Sequence, residues 1–372
     1  MNKEELVDIV ERKVIDANYN YNNVNSTSDF EILTTIRYDP YLSKSYDCIS
    51  DNNSNIETLL ESIGLFLDPK LILSSSNSIA HETETIINPD DNNKTSNNKD
   101  LMSIYYQRFF LLGEHLKRIN FTLQYFNWDY ELNIHSLLVL LVQALPSKEN
   151  TEDVQKKMNI LLDDDICYKM RVLINRAGQI KIEAHVLPLT LLDNKNDREE
   201  CDCYILDTLF SGFVLPTSKK FKNSIVPPIY TVYIDTEPLI PSPFTSFKTT
   251  KRQHYNRARE RMLELHKGKE GPCEILVYNT NYEVMETSFC NVYFKKYVAN
   301  NKDDTAKDCS SYYYYTPSLS SGCLCGTMRY YLLRKKLVSE VKSIDVRKLK
   351  DGDEVLLSNA IRGCFKGLIV KS

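Results

Sequence analysis

The sequence predicts a mixed α/β (α+β) protein of two domains, and three features support this. Strand-like and helix-like segments alternate in both halves of the chain. The length of 372 residues exceeds what one hydrophobic core usually organises, and two domains imply a cleft between them. A stretch punctuated by prolines, residues 216–228, separates the halves. We therefore predict an N-terminal domain over residues 1–215 and a C-terminal domain over residues 216–372.

The elements of the first half follow from the spacing of apolar residues. Residues 30–38 form a β-type run, whereas residues 103–123 and 136–145 carry apolar side chains at helical spacing. Residues 168–175 and 180–186 predict two strands joined by a short turn that contains glycine.

The second half mixes the same two patterns. Predicted strands cover 229–234, 274–278, 291–294 and 354–358, and predicted helices cover 254–266 and 326–337.

Three polar segments interrupt these elements, at 18–28, 74–99 and 300–311. The longest is rich in Asn, Ser, Thr and Asp, so it cannot bury enough apolar surface to offset the entropy lost on ordering. We predict that residues 74–99 form a solvated insertion in the first domain.

Composition narrows the class of partner. Hydrophobic residues make up 42% of the chain and charged residues 26%, which is typical of a folded globular protein. A net charge of −4 offers no field that would attract nucleic acid or acidic lipid, so a small-molecule partner is expected.

Neither a membrane nor a metal is expected. The longest apolar run, 137–145, is too short to cross a bilayer, and the acidic start is unlike a targeting signal, so we predict a cytoplasmic protein. Its ten cysteines form no CxxC pair and its six histidines are scattered, so no metal site is predicted.

Lys248 is the first candidate for chemistry. It lies among small hydroxyl and aromatic residues, in Phe-Thr-Ser-Phe-Lys-Thr-Thr, between a Pro-rich loop and a predicted helix. A lysine partly removed from water has a lowered pKa and can attack a carbonyl carbon. Alone the motif is weak, because most loop lysines are solvated.

Two further motifs follow. Glu286 opens Glu-Thr-Ser-Phe-Cys-Asn, and such a carboxylate can keep a pyridine nitrogen protonated, although it could equally be a helix-capping or surface acid. Gly322 and Gly326 open the last predicted helix, where backbone amides at the positive helix end can hold a phosphate.

In this order and spacing, the three motifs resemble the branched-chain aminotransferase superfamily, the fold-type IV pyridoxal-phosphate enzymes. The separation of 286 − 248 = 38 residues matches that family's spacing between its cofactor-binding lysine and its glutamate. The resemblance implies a homodimer of two-domain chains, with pyridoxal 5′-phosphate in the cleft between a smaller N-terminal and a larger C-terminal α/β domain.

The resemblance also implies roles for individual residues. Lys248 would be the catalytic lysine and Glu286 the partner of the pyridine nitrogen. Arg37, the arginine of Leu-Thr-Thr-Ile-Arg, would reach the cofactor phosphate. The other implied cofactor-binding residues are Asn291, Gly326, Thr327 and Asn359. The predicted helix that carries His115 and Arg118 resembles a packing helix of the family, and no chemistry is assigned to these two residues.

Within the superfamily, the motifs look most like those of the fungal 4-amino-4-deoxychorismate lyases. This implies a carbon–oxygen lyase that forms 4-aminobenzoate and pyruvate for folate biosynthesis. The alternatives are a branched-chain or D-amino acid aminotransferase and a non-catalytic relative. Substrate carboxylates need cationic partners, and Arg171, Arg176 and Arg362 are candidates among which the sequence does not choose.

Overall fold

A computed structural model describes residues 30–43, 95–187, 209–213, 228–297 and 312–371. Within them the chain has a mixed α/β architecture, as predicted. The polar segments 18–28 and 300–311, most of 74–99 and the predicted boundary at 215/216 lie outside the described residues. The division into two domains therefore stays a prediction.

The first half forms a three-stranded antiparallel sheet with helices packed beside it. Its strand order is β1-β2-β3. The elements in chain order are β1 (Ile32–Tyr38), α1 (Thr95–Arg108), α2 (Leu112–Tyr125), α3 (Ile134–Ala144), α4 (Val154–Ile160), β2 (Tyr168–Ile174) and β3 (Ile180–Val186).

Two expectations for this half were wrong in detail. Helix α1 begins at Thr95, inside the predicted insertion, and the single helix predicted over 103–123 is two helices. The break lies at Leu111, whose φ of 55° is left-handed and cannot continue a right-handed helix. Strand β1 stabilises the break, because Phe110 donates its N–H to the Arg37 carbonyl at 2.9 Å. Helix α2 therefore does not continue the direction of α1, and it packs against β1.

The second half forms an eight-stranded mixed sheet. Its strand order is β6-β5-β4-β11-β10-β7-β8-β9. The elements are β4 (Tyr230–Ile234), α5 (Pro243–Ser246), α6 (Gln253–His266), β5 (Cys273–Tyr278), β6 (Val284–Thr287), β7 (Asn291–Tyr297), β8 (Tyr312–Pro317), α7 (Thr327–Arg334), β9 (Val338–Val341), β10 (Glu354–Asn359) and β11 (Gly363–Val370).

Helix α6 shows how the second sheet is covered. Tyr255, Ala258 and Met262 are buried at spacings of three and four, which places them on one face of the helix. They pack with Ile275 and Val277 of β5 in one apolar cluster. The opposite face of α6 carries charged side chains, as its sequence predicted.

Residues 209–213 pack with the second half. Leu209, Phe210 and Phe213 share a buried cluster with Tyr293 and Met328. Gly212 also donates its N–H to the Cys364 carbonyl at 2.9 Å. This short segment, which the sequence assigned to the first domain, therefore belongs to the packing of the eight-stranded sheet.

None of the described helices combines the length and apolarity needed to cross a membrane.

Candidate active site

Lys248 lies on the loop between α5 and α6, and β1 fixes that loop. Leu33 donates its N–H to the Lys248 carbonyl at 2.9 Å, and Thr250 donates to the Glu31 carbonyl at 2.9 Å. Ser242 donates its N–H to the Thr245 hydroxyl at 3.0 Å at the start of the short helix just before it. The backbone of the lysine is thus held from both sides.

The surroundings of Lys248 favour its neutral amine. Removal of water, helped by the positive charges of Arg252 and Arg118, lowers the pKa of Lys248 to about 7. The Glu286 carboxylate acts in the opposite direction, which places it within electrostatic reach of the amine. An amine with this pKa is substantially unprotonated near neutrality, as a nucleophile or a base requires.

Glu286 is a buried carboxylate on β6, with 3% of its surface exposed. Its Oε1 accepts hydrogen bonds from the Tyr255 hydroxyl and from the Leu324 N–H, the latter at 3.1 Å. Burial raises the pKa of Glu286 to about 7, although both hydrogen bonds favour the charged form.

Asn291 connects Glu286 to the glycine turn. Its Nδ2 donates to Glu286 Oε2 at 3.3 Å and to the Leu324 carbonyl at 3.0 Å. A Cβ added at Gly326 would overlap Asn291 Oδ1, so glycine is required there for steric reasons. Cys325 in the same turn donates its N–H to the Ser246 carbonyl at 3.2 Å, two residues before Lys248.

Helix α7 begins at this turn, with Gly326 as its N-cap. No side chain in the described part of the chain caps it, so the first backbone amides are available to an anion. Thr327, the first helical residue, is 4% exposed. The glycine turn and the positive helix end therefore suit an anion, and the role of Gly326 and Thr327 in holding a phosphate stays a prediction.

Asn359 ends β10 and organises the turn that follows. Its Oδ1 accepts the N–H groups of Ile361 and Arg362 at 2.9 and 2.8 Å. Its Nδ2 donates to the Sγ of Cys290 at 3.2 Å, next to Asn291. Asn359 thus adjoins the Glu286 loop through Cys290, and both of its polar atoms have protein partners.

Arg37 is buried, and its guanidinium group is held by protein groups. Nε and one terminal nitrogen bind Asp39 Oδ2 at 2.9 and 2.6 Å, and the other terminal nitrogen donates to the Ile361 carbonyl at 3.1 Å. Arg37 therefore ties β1 to the Asn359 turn. These contacts give Arg37 a structural role that the sequence did not indicate.

The three arginines considered for the substrate carboxylates lie apart from one another. Arg171 on β2 pairs with Glu183 at 2.8 Å, Arg176 is exposed in the β2–β3 turn, and Arg362 contacts the Tyr230 hydroxyl. Arg362 also lowers the pKa of the buried Cys290 thiol, whose pKa is raised mainly by burial. It is the one of the three with a described link to the Glu286 loop.

Sequence reasoning missed two cations beside Lys248, namely Arg118 and Arg252. Arg118 donates to the Thr34 hydroxyl at 2.7 Å, and the same hydroxyl meets His115 Nδ1 at 2.7 Å. His115 Nε2 is buried without a hydrogen-bond partner among the described residues. The His-Leu-Lys-Arg spacing on α2 was visible in the sequence, but only the packing of α2 against β1 brings His115 and Arg118 within electrostatic reach of Lys248.

No group of three or more His, Cys, Asp or Glu side chains within the described ranges could hold a metal ion. The donor set at the site is instead an amine, a carboxylate, amides and guanidinium groups. Such groups suit an organic cofactor with an aldehyde, a basic ring nitrogen and a phosphate.

Comparison with known proteins decides the family. Residues 100–367 match class IV aminotransferases over most of the chain. This chain belongs to the class IV aminotransferase family. It is 33% identical to the aminodeoxychorismate lyase of Saccharomyces cerevisiae over 94% of this chain and 96% of that protein.

Solved structures resemble it more distantly. A 4-amino-4-deoxychorismate lyase from Pseudomonas aeruginosa is 15% identical, with a TM-score of 0.41 over 71% of this chain and 78% of that one. A branched-chain amino acid aminotransferase from Escherichia coli is 15% identical, with a TM-score of 0.39 over 70% of each chain.

Proposed function

We propose that this enzyme is a 4-amino-4-deoxychorismate lyase that uses pyridoxal 5′-phosphate and forms 4-aminobenzoate and pyruvate. The observation that supports the chemistry best is the buried pair of Lys248 and Glu286, whose charges act on each other. The choice of substrate rests on the identity to the yeast aminodeoxychorismate lyase over nearly the full length of both chains.

The residues present fit the proposed cofactor at three points. Lys248 would bind the aldehyde, and Glu286 would hold the ring nitrogen in its protonated form. The amides of the first turn of α7, beginning with Thr327, would hold the phosphate beside Gly326, whose own N–H donates to the Leu324 carbonyl at 2.8 Å. Arg118 is the better placed cation for the phosphate end, because the Arg37 guanidinium already binds Asp39 and Ile361.

The protein's own groups then account for the proton transfers. When bound, pyridoxal 5′-phosphate supplies an aldehyde for the substrate amine and a ring that accepts electrons from the substrate. Lys248, whose lowered pKa of about 7 leaves much of the amine unprotonated at neutral pH, removes the proton from the substrate carbon that carries the nitrogen. Loss of the enolpyruvyl group from the neighbouring carbon releases pyruvate and leaves an aromatic ring, with no net oxidation or reduction.

The substrate carboxylates need cations that protein groups do not already neutralise. Arg171 is paired with Glu183, and Arg37 with Asp39. Arg252 and Arg362 remain as candidates around the Glu286 loop, together with the exposed Arg176. We propose that Arg252 or Arg362 fulfils this function, since both contact that loop or the adjoining Asn359 turn.

The direct test is to supply 4-amino-4-deoxychorismate to the cofactor-loaded protein and to follow pyruvate and 4-aminobenzoate together. Equal amounts of both products are expected from wild type, and neither from Lys248→Ala. Pyruvate without aminobenzoate, or full activity in Lys248→Ala, would overturn the proposal. An aminotransferase would instead convert an added branched-chain keto acid, with an amino acid as donor, into the matching amino acid.

Two further properties of the family remain proposals for this chain. We propose that it forms a homodimer and that it acts in the cytoplasm. Light scattering on the purified protein tests the first, and fractionation of cells tests the second.

A further inference from the structure

Tyr255 is a buried residue on α6 for which neither the sequence motifs nor the proposed chemistry accounts. It is 2% exposed, and its hydroxyl donates a hydrogen bond to Glu286 Oε1. The Leu324 amide donates to the same oxygen, whereas among the described residues Oε2 receives one longer bond, from Asn291. Tyr255 therefore helps to fix which carboxylate oxygen stays available to a ligand.

The position of Tyr255 in the chain makes this bond a link between two parts of the site. Tyr255 lies seven residues after Lys248, at the start of the helix that follows the lysine loop. Glu286 comes from a different element, the strand β6. The hydrogen bond therefore joins the segment that carries the amine to the strand that carries the carboxylate.

Arg252 reinforces the same link. Its guanidinium group lies 4.6 Å from the centre of the Tyr255 ring, a cation–π contact, and donates to the Ser288 carbonyl at 2.8 Å. Ser288 follows Glu286 by two residues. The start of α6 thus holds both the carboxylate and the turn beyond it.

We propose that Tyr255 is a positioning residue, whose hydroxyl keeps the Glu286 carboxylate in register with Lys248 so that the two can hold opposite ends of one cofactor ring. This inference rests on the proposed function. It concerns a residue that acts through Glu286 and does not itself touch the reacting atoms.

The charges around Glu286 show why the hydroxyl matters. Lys248 and Arg252 favour the ionised carboxylate, whereas burial favours the neutral acid and raises the pKa of Glu286 to about 7. The Tyr255 hydrogen bond is the strongest of the interactions that offset the effect of burial on this pKa. Cys323, whose thiol pKa is raised by burial, also faces this carboxylate. Without the Tyr255 hydroxyl, the neutral form of Glu286 becomes more populated. A neutral acid cannot hold a protonated ring nitrogen.

A purely structural role for Tyr255 predicts something different. Its ring packs in a buried cluster with Tyr233, Met262 and Met285. A phenylalanine would fill almost the same volume, so packing alone would leave the site unchanged. Tyr233 offers a matched control, because it is buried in the same cluster but its hydroxyl meets His266 Nδ1 at 3.1 Å.

The test compares Tyr255→Phe with Tyr233→Phe in the full chain. Each cofactor-free protein is titrated with pyridoxal 5′-phosphate and followed by visible absorbance, and thermal unfolding is recorded in parallel. Loss of a hydrogen bond to a charged group predicts a ten- to hundredfold weaker affinity for the cofactor, in Tyr255→Phe only. The lower pH limit of kcat should also move to higher pH, with little change in KM.

Variants at Glu286 separate positioning from a general loss of packing. If Tyr255 acts through the carboxylate, Tyr255→Phe has no further effect on cofactor affinity when added to Glu286→Gln. An equal loss in both backgrounds, or wild-type affinity and pH profile in Tyr255→Phe, would overturn the inference. Wild type that fails to bind the cofactor would instead overturn the proposed function, so the two failures are distinguishable.

Discussion

Leu33 donates its backbone N–H to the carbonyl oxygen of Lys248 at 2.9 Å, so a strand of the first sheet directly anchors the lysine loop of the second half. The neighbouring residues Ile32 and Thr249 form an antiparallel bridge at the same place. The conformation of the lysine loop thus depends on residues more than 200 positions earlier in the sequence. This anchoring by β1 also explains why Thr34, His115 and Arg118, which belong to the first half, lie near the amine of Lys248.

Replacement of Lys248 by methionine should change how stability depends on pH in the cofactor-free protein. The pKa of Lys248 is lowered from 10.5 to about 7, so between these values the unfolded chain binds more protons than the folded one. Wild-type stability should therefore rise with pH over this range, and the cost of the buried amine is fully present below pH 7. Lys248→Met should exceed wild type in stability most near pH 7 and least near pH 10.

Urea unfolding at several pH values provides this measurement. The mutant-minus-wild-type difference in the free energy of unfolding is the quantity to compare, because other titrating groups then cancel. A difference that does not vary from pH 7 to pH 10 would contradict the lowered pKa.

Arg118 and Arg37 should respond differently to replacement by methionine. Arg118→Met is expected to weaken binding of pyridoxal 5′-phosphate by roughly tenfold or more but to leave binding of pyridoxal nearly unchanged, because only the phosphate needs the cation. Arg37→Met should instead destabilise the fold by about 3 to 5 kcal/mol, since it removes the cation that pairs with the buried Asp39 carboxylate.

The two variants are distinguished by their affinities for pyridoxal 5′-phosphate and pyridoxal and by their unfolding in urea. The reverse pattern, with phosphate-specific loss in Arg37→Met and instability in Arg118→Met, would restore Arg37 as the phosphate ligand predicted from the sequence.

Gly326→Ala should abolish tight cofactor binding for a steric reason. The added methyl group would overlap Asn291 Oδ1, which must move and release its contacts with Glu286 and Leu324. A loss of affinity of at least tenfold is expected by absorbance titration. The double variant Gly326→Ala/Asn291→Ala has room for the methyl group, and it should recover part of the loss unless the side chain of Asn291 is itself essential. Wild-type affinity in Gly326→Ala would contradict the steric argument.

Glu274→Ala should destabilise the protein and disturb the loop after Glu286. The buried Glu274 carboxylate accepts hydrogen bonds from the hydroxyls of Thr287 and Ser288 at 2.9 and 2.6 Å and from the Phe289 N–H at 3.0 Å. Alanine removes the shared acceptor and leaves the buried Ser288 hydroxyl without it, whereas the Thr287 hydroxyl keeps the Cys290 carbonyl, so a cost of about 3 kcal/mol is expected. Glu274→Gln keeps an acceptor and should lose less. Urea unfolding measures both variants, and equal stability of Glu274→Ala and wild type would exclude this role.

Several elements could be predicted from the sequence because their patterns are local. Strand β1, the β2–β3 pair and helix α6 lie within a few residues of their predicted bounds, since alternation and helical spacing need only neighbours in the chain. The short strands β6 and β9 have four residues each, too few to show an alternation. Strands β8 and β11 were also missed; β8 pairs with β7 across residues 298–311, and β11 pairs with the distant β4 as well as with the adjacent β10.

By itself, the sequence determined the fold class and the order and spacing of the motifs around Lys248, Glu286 and Gly326, because these depend on residue types along the chain. Only the tertiary structure decided which arginine stands beside the lysine and that Tyr255 binds Glu286. The reason is physical: a side chain's charge and hydrogen bonds depend on what folding brings within a few ångströms, and Arg118 acts on Lys248 only because α2 packs against β1.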